Sequence, residues 1–220
     1  RPATGVVYAV GTSANVYTVN TTTGIATNIG SFSSSVPGTQ FGFDFNPVLG
    51  GGTFARIISD LDDNRVISGD DGSYLGADKT DVFYLAGDAN EGTNPNITHI
   101  AYSNSVFGAT ATQQYGIDTG LNILTTVANN AGELASIGSL NVNASDAGGF
   151  DIDGVSGVAY AGFQTSQGVS TIYTIDLATG AATSQGTIAG DIIGLTAVPE
   201  PSSTLLVALA GLGVAFRRRR

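Results

Sequence analysis

One arrangement of short strands and turns occurs near the start of the chain and again near its end, which restricts the fold to a repeat-built β architecture. At the start, Val7-Tyr8-Ala9 leads to Val16-Tyr17-Thr18-Val19-Asn20 and then to Thr23-Gly24-Ile25-Ala26-Thr27-Asn28-Ile29-Gly30. Near the end, Val158-Ala159-Tyr160-Ala161 leads to Ile172-Tyr173-Thr174-Ile175-Asp176 and then to Thr179-Gly180-Ala181-Ala182-Thr183-Ser184-Gln185-Gly186. A looser copy runs from Gln114-Tyr115-Gly116-Ile117-Asp118 to Leu134-Ala135-Ser136-Ile137-Gly138. Apolar and polar residues alternate within these runs, the period of a half-buried strand, and no stretch before Thr204 sustains a helical period. Asn20 and Asp176 suit turns because their side chains bond backbone two residues on, and Gly24 and Gly180 accept a positive φ.

A further strand closes each unit, as Gly42-Phe43-Asp44-Phe45 and as Gly149-Phe150-Asp151-Ile152. Units of roughly 40 to 55 residues with four strands are the size of propeller blades. The predicted fold class is therefore all-β, a β-propeller-like array of four-stranded blades at about 5–46, 47–104, 105–152 and 153–197, with a short C-terminal hydrophobic helix. Arg1-Pro2-Ala3-Thr4-Gly5 occupies the place that Asn46-Pro47 and the following glycines occupy after Phe43-Asp44-Phe45. The expectation is a chain that starts just after a closing strand, within a complete propeller of five blades.

Charge excludes one class of partner. Of eight basic residues four are Arg217, Arg218, Arg219 and Arg220, so residues 1 to 216 carry four basic against eighteen acidic residues, a formal −14. Nucleic acid and anionic lipid are bound through clustered Lys and Arg, which this body lacks. The chain has no cysteine, so disulfides and thiolate metal sites are impossible. It has no methionine either, and no signal peptide precedes Arg1, so a processed or partial form of an exported protein is expected. Frequent glycine, 31 of 220 residues, fits a turn-rich β protein.

The C-terminus has a different grammar: Val198-Pro199-Glu200-Pro201-Ser202-Ser203, thirteen uncharged residues from Thr204 to Phe216, then a basic stop of Arg217, Arg218, Arg219 and Arg220. A helix of that length is about 20 Å, short of a ~30 Å hydrocarbon core. Local thinning and reaching arginines accommodate such a mismatch. The positive-inside bias puts the arginines on the cytoplasmic side and the body outside. In order and spacing this tail resembles the PEP-CTERM sorting signal of Gram-negative bacteria. The resemblance implies export, transient inner-membrane anchoring by the hydrophobic helix 204–216, recognition of Val198, Pro199, Glu200, Pro201 and Ser202 by an exosortase, and delivery to the cell surface or matrix.

The body, residues 1 to 197, resembles a secreted bacterial family known only as a domain of unknown function, DUF4394. The matching elements are Arg1-Pro-Ala-Thr-Gly5, Gly42-Phe-Asp-Phe-Asn-Pro47, Arg56-Ile-Ile-Ser59, Ala86-Gly-Asp-Ala-Asn90, Tyr115-Gly-Ile-Asp118 and the last unit. The run Asp60-Leu-Asp-Asp-Asn64 departs from the Asp-Thr-Gly-type turn usual there. The resemblance implies no activity.

Chemistry-bearing residues are sparse. His99, the one histidine, lies in an alternating strand with no second ligand or triad partner in its motif, and reads as structural. No nucleophile elbow, phosphate loop or dinucleotide fingerprint occurs. Nine of the eighteen carboxylates fall between Asp60 and Glu91, and calcium takes six to eight oxygen ligands. Asp60, Asp62, Asp63, Asp88 and Asn90 are the weak calcium candidates, beside the reading of these loops as solvated turns. Asp151 and Asp153 are read as turn and edge residues. The expectation is an exported, non-catalytic surface or matrix protein without cofactor, with exopolysaccharide or envelope components as partners. The alternative is a calcium-dependent propeller hydrolase of esterase, lactonase or glycosidase type.

Overall fold

The computed structural model describes residues 1–11, 13–31, 36–75 and 79–198. Among these residues fifteen strands form four sheets. The first sheet comprises β1 (Val7–Val10), β2 (Asn15–Val19) and β3 (Ala26–Ser31), and the second β4 (Phe41–Phe45), β5 (Phe54–Ser59) and β6 (Asn64–Ser68). The third holds β7 (Phe83–Tyr84), β8 (Ile97–Tyr102), β9 (Gln114–Asp118), β10 (Ile123–Val127) and β11 (Glu133–Ser139), in the order β7-β11-β10-β9-β8. The fourth runs in sequence through β12 (Gly148–Ile152), β13 (Ala159–Ser166), β14 (Val169–Ile175) and β15 (Ala182–Ala189). Pairing is antiparallel throughout except for β7 with β11.

The repeated turns form as their chemistry demands. Asn20 Oδ1 accepts from Thr22 N and Thr23 N, and Gly24, at φ 71°, donates its N–H to Asn20 O at 2.7 Å. In the fourth sheet Asp176 Oδ1 accepts from Ala178 N, and Gly180, at φ 83°, donates to Asp176 O at 2.8 Å. Even the bulges coincide: Val16/Tyr17 opposite Gly30 and Asn28, and Ile172/Tyr173 opposite Gly186 and Ser184.

The core lies between successive sheets. Phe45, Ala55, Ile57 and Ile67 of the second sheet pack on Val16 of the first, with Tyr8 and Val10 against them. Ile58 meets Ile97, Ile100, Val127, Leu134 and Tyr84 of the third sheet. Ala101, Ile117 and Leu124 then meet Phe150, Ile152, Phe163 and Tyr173 of the fourth. Burying a large apolar side chain of this kind is worth about 1.5–3 kcal/mol, so these three contacts hold the sheets in series. Arg56, 2% exposed, adds a polar tie: Nε donates to Tyr102 Oη at 3.0 Å, Nη1 to Asn64 Oδ1 and Asn129 O, and Nη2 to Asn130 Oδ1.

Two expectations need correction. Among the described residues the sheets contain three, three, five and four strands rather than four each. The predicted closing strands also belong elsewhere: β4 pairs with β5 and β12 with β13, so each opens the sheet that follows it. β8 likewise pairs with β9, so the boundaries near 46, 104 and 152 each fall on the wrong side of one strand. Sequence order places such a strand after the turn it follows, while its hydrogen bonds go to the next hairpin. Of the expected sorting signal, Val198 is the last described residue. Pro199, Glu200, Pro201 and Ser202, the predicted helix 204–216, and the basic stop of Arg217, Arg218, Arg219 and Arg220 lie outside the described residues. Among the described residues no helix is long and apolar enough to cross a membrane.

Candidate functional site

The sheet-opening strands converge on one cavity of about 640 Å³, lined by β1, β4, β8, β12 and the segment 193–198. Two copies of Gly-Phe-Asp build its wall. The glycine comes first because the next strand passes too close for a side chain. A Cβ on Gly42 would stand 2.8 Å from Ile100 N, and one on Gly149 would overlap Leu195 N. The phenylalanine serves the core or the wall: Phe43 lines the cavity and meets Phe45 edge to face, and Phe150 is 5% exposed.

The aspartate makes the same clasp in both copies. Asp44 Oδ1 accepts from its own following amide, Phe45 N, at 2.7 Å, and Oδ2 accepts from Tyr102 N of β8 at 2.6 Å. Asp151 Oδ1 accepts from Ile152 N at 2.8 Å, while Oδ2 takes Ala197 N at 2.7 Å and Thr196 Oγ1 at 2.8 Å. The segment 193–197 thus lies beside β12 as β8 lies beside β4. Burial raises the pKa of Asp44 well above the usual carboxylate range, and the nearby charge of Asp151 adds to the effect. Burial likewise raises Asp151, against the hydrogen bonds from Ala197 and Thr196.

Apolar side chains gather at the cavity's mouth. Phe107, Val155 and Ile193 are 77%, 78% and 87% exposed, and all three line it with Val6 and Val198. His99 sits on β8 in this wall, with Nε2 2.9 Å from Ser145 O and its ring tilted against Phe163. Burial lowers its pKa, which favours the neutral imidazole.

The calcium candidates are spread over separate tasks. Asp60 accepts from Thr39 N and Thr39 Oγ1, both at 2.8 Å. Burial works against its ionisation, but these bonds outweigh it and hold the pKa below the ordinary value. Asp63 pairs with Arg65. Asp88 and Asn90 do come together, on Ser136 of β11: Asp88 accepts from Ser136 N and Oγ at 2.7 Å each, and Asn90 Nδ2 donates to Ser136 Oγ. Asp62 differs. It has φ 67°, its Oδ1 is buried without a hydrogen-bond partner, and burial with the charge of Asp81 lifts its pKa to about 6. Among the described residues no group of three or more His, Asp or Glu is placed to hold a metal.

Asp151 lies on β12, the edge strand of its sheet, and its place in the cavity wall goes beyond the reading of Asp151 and Asp153 as turn and edge residues. Asp153 does make a turn, accepting from Val155 N and Ser156 N. Reading along the sequence missed Asp44 and Asp151 as a pair. The available signal was the recurrence of one charged residue at the same place in two apolar strands.

Comparison with known proteins adds the following. A family model described as "Domain of unknown function (DUF4394)" matches residues 1–196, and a PEP-CTERM protein-sorting motif matches residues 197–220. No curated protein matches the chain. Among solved structures, hydrazine synthase of Kuenenia stuttgartiensis is 14% identical with a TM-score of 0.46, covering 87% of this chain and 47% of its own. A structural-genomics protein of unknown function from Bacteroides thetaiotaomicron is 14% identical with a TM-score of 0.50, covering 89% and 52%. The PQQ-bound aldose sugar dehydrogenase of Streptomyces coelicolor is 12% identical with a TM-score of 0.49, covering 89% and 70%. The chain spans about half the length of the first two. At such identities the likeness concerns fold and not chemistry.

Proposed function

We propose that this chain, which belongs to the DUF4394 family and carries a PEP-CTERM sorting motif at its C-terminus, is an exported surface or matrix protein with a non-catalytic, β-propeller-like body. One observation carries the reading: Val198-Pro199-Glu200-Pro201-Ser202 follows without a linker on Thr196 and Ala197, which Asp151 ties to β12. The sorting motif is thereby hung directly on the folded body. An exosortase acting there removes the hydrophobic stretch and the arginines, and releases a domain of formal charge −14, or −13 without Glu200. A body of that charge stays soluble and repels anionic surfaces.

The serial packing of four sheets around one cavity supports the propeller reading, with Asp44 and Asp151 acting as clasps between neighbouring inner strands. The exposed apolar mouth and polar outer turns suit contact with exopolysaccharide or envelope components. Cell fractionation tests the proposal. In a Gram-negative host with a functional exosortase, the chain is expected at the surface or in the medium. A Pro199→Ala, Glu200→Ala double substitution is expected to hold it at the inner membrane. Equal distribution of both forms would contradict the reading.

A further inference from the structure

The edge of β1 that faces the cavity is the edge on which every equivalent strand carries a partner. Among the described residues β5 lies between β4 and β6, β9 between β8 and β10, and β13 between β12 and β14, while β1 pairs with β2 alone. The equivalence of β1 with β13 extends to registers. Val7, Tyr8, Ala9 and Val10 face Val19, Thr18, Tyr17 and Val16, as Ala159, Tyr160, Ala161 and Gly162 face Ile175, Thr174, Tyr173 and Ile172. The preceding turns match as well. Arg1 N donates to Val6 O at 2.8 Å, and Asp153 N to Val158 O at 2.9 Å. Gly5, at φ 69°, donates to Arg1 O, and Gly157, at φ 72°, donates to Asp153 O. In the fourth sheet the place beside β13 belongs to β12, whose Asp151 stands opposite Tyr160 and whose Ile152 stands opposite Ala159.

We infer that the cavity is the seat of one more β-strand, an extended peptide of the pattern Gly-apolar-Asp-apolar lying antiparallel to β1. Each feature of that pattern follows from the walls. Its aspartate lies opposite Tyr8, as Asp151 lies opposite Tyr160. Its glycine admits the close passage of a neighbouring strand, as Gly42 and Gly149 do. Its apolar residues meet Phe41, Phe43, Val7 and Ile193 in the lining. The C-terminal end of the strand comes to Arg1 as Ile152 comes to Asp153. Main-chain pairing along a sheet edge supplies the affinity, and the side-chain pattern supplies the selection. The four residues of β1 offer about 13 Å of edge at ~3.3 Å per residue.

The test uses the full chain with two probes. The first is a free peptide with the sequence of residues 40–46, Gln-Phe-Gly-Phe-Asp-Phe-Asn, compared with the same peptide carrying Lys in place of Asp. The second is Gly-Phe-Asp-Ile fused directly in front of Arg1, compared with a scrambled fusion. The inference expects the Asp peptide to slow amide exchange at Val7 to Val10 by about tenfold or more, with the Lys peptide inactive. It expects the ordered fusion to raise Tm by about 5 °C over the scrambled one, the scale of a small stability gain in a domain of this size. No protection with either peptide, together with equal Tm for the two fusions, overturns the inference. Concentration-dependent dimerisation that protects Val7 to Val10 without peptide also overturns it, and assigns the edge to a second copy. Sorting plays no part in either readout, so the outcome is independent of the proposed function.

Discussion

At the scale of single residues, Arg56 and Asp62 Oδ1 show the two situations of a buried polar group, with hydrogen-bond partners and without. Arg56 bonds neutral groups from three parts of the chain, and losing it takes the guanidinium donor from Asn64 Oδ1 and Asn130 Oδ1 and one of two donors from Asn129 O. Arg56→Met is therefore expected to cost about 3 kcal/mol in chemical denaturation, the scale for stripping partners from buried polar atoms. Asp62 presents the opposite case. Its folded pKa of about 6 lies above the ordinary carboxylate value, so its ionisation favours the unfolded chain. The contribution of the protonated carboxyl is whole below about pH 4 and is lost as pH rises through about 6. Asp62→Asn keeps a residue that tolerates positive φ and removes the charge. With a discount for the partial exposure of Asp62, a gain of about 1 kcal/mol is expected at pH 8, vanishing near pH 4. A melting series across that range checks it, and a gain independent of pH would contradict the assignment.

Among elements, the strands facing the cavity are held by a glycine and a carboxylate acting together. Gly149→Val would set a side chain into the backbone at Leu195, where even a Cβ would overlap the amide nitrogen. Asp151→Ala removes the acceptor for Thr196 and Ala197 but leaves the space unchanged. Both substitutions are expected to free the segment 193–197, and limited proteolysis reads this as a new cut there with the rest of the body intact. An unchanged digest would deny the clasp. Much at this scale was legible in the sequence. The Asn20 and Asp176 turns form where Asx chemistry placed them, and the repeat of Tyr8 and Tyr160 marks equivalent strands. What escaped was partnership. The hydrophobic pattern of Gly42-Phe43-Asp44-Phe45 says that a strand forms, while its pairing with β5 depends on a chain reversal that local periodicity does not encode. Asp151 escaped for the same reason: alternation put it at an edge, and only the neighbouring segment makes it a wall residue.

The whole molecule joins a strongly acidic, repeat-built body to a short basic-ended tail, two parts of opposite chemistry. In the proposed sorting route, Arg217, Arg218, Arg219 and Arg220 hold one end at the membrane, and the body's acidity favours solution once they are gone. The candidate site was less legible at this scale than the destination. The three parts of the tail motif all fall between Val198 and Arg220 in the sequence, whereas the cavity takes its walls from residues as far apart as Val7 and Ala197. The most direct test is the intact mass of protein recovered from cells with a functional exosortase. The account predicts a product that retains residues through Ala197 and lacks Thr204 to Arg220, and an uncut chain when the exosortase is deleted. Recovery of the same uncut mass, with all four terminal arginines, from both hosts would contradict it.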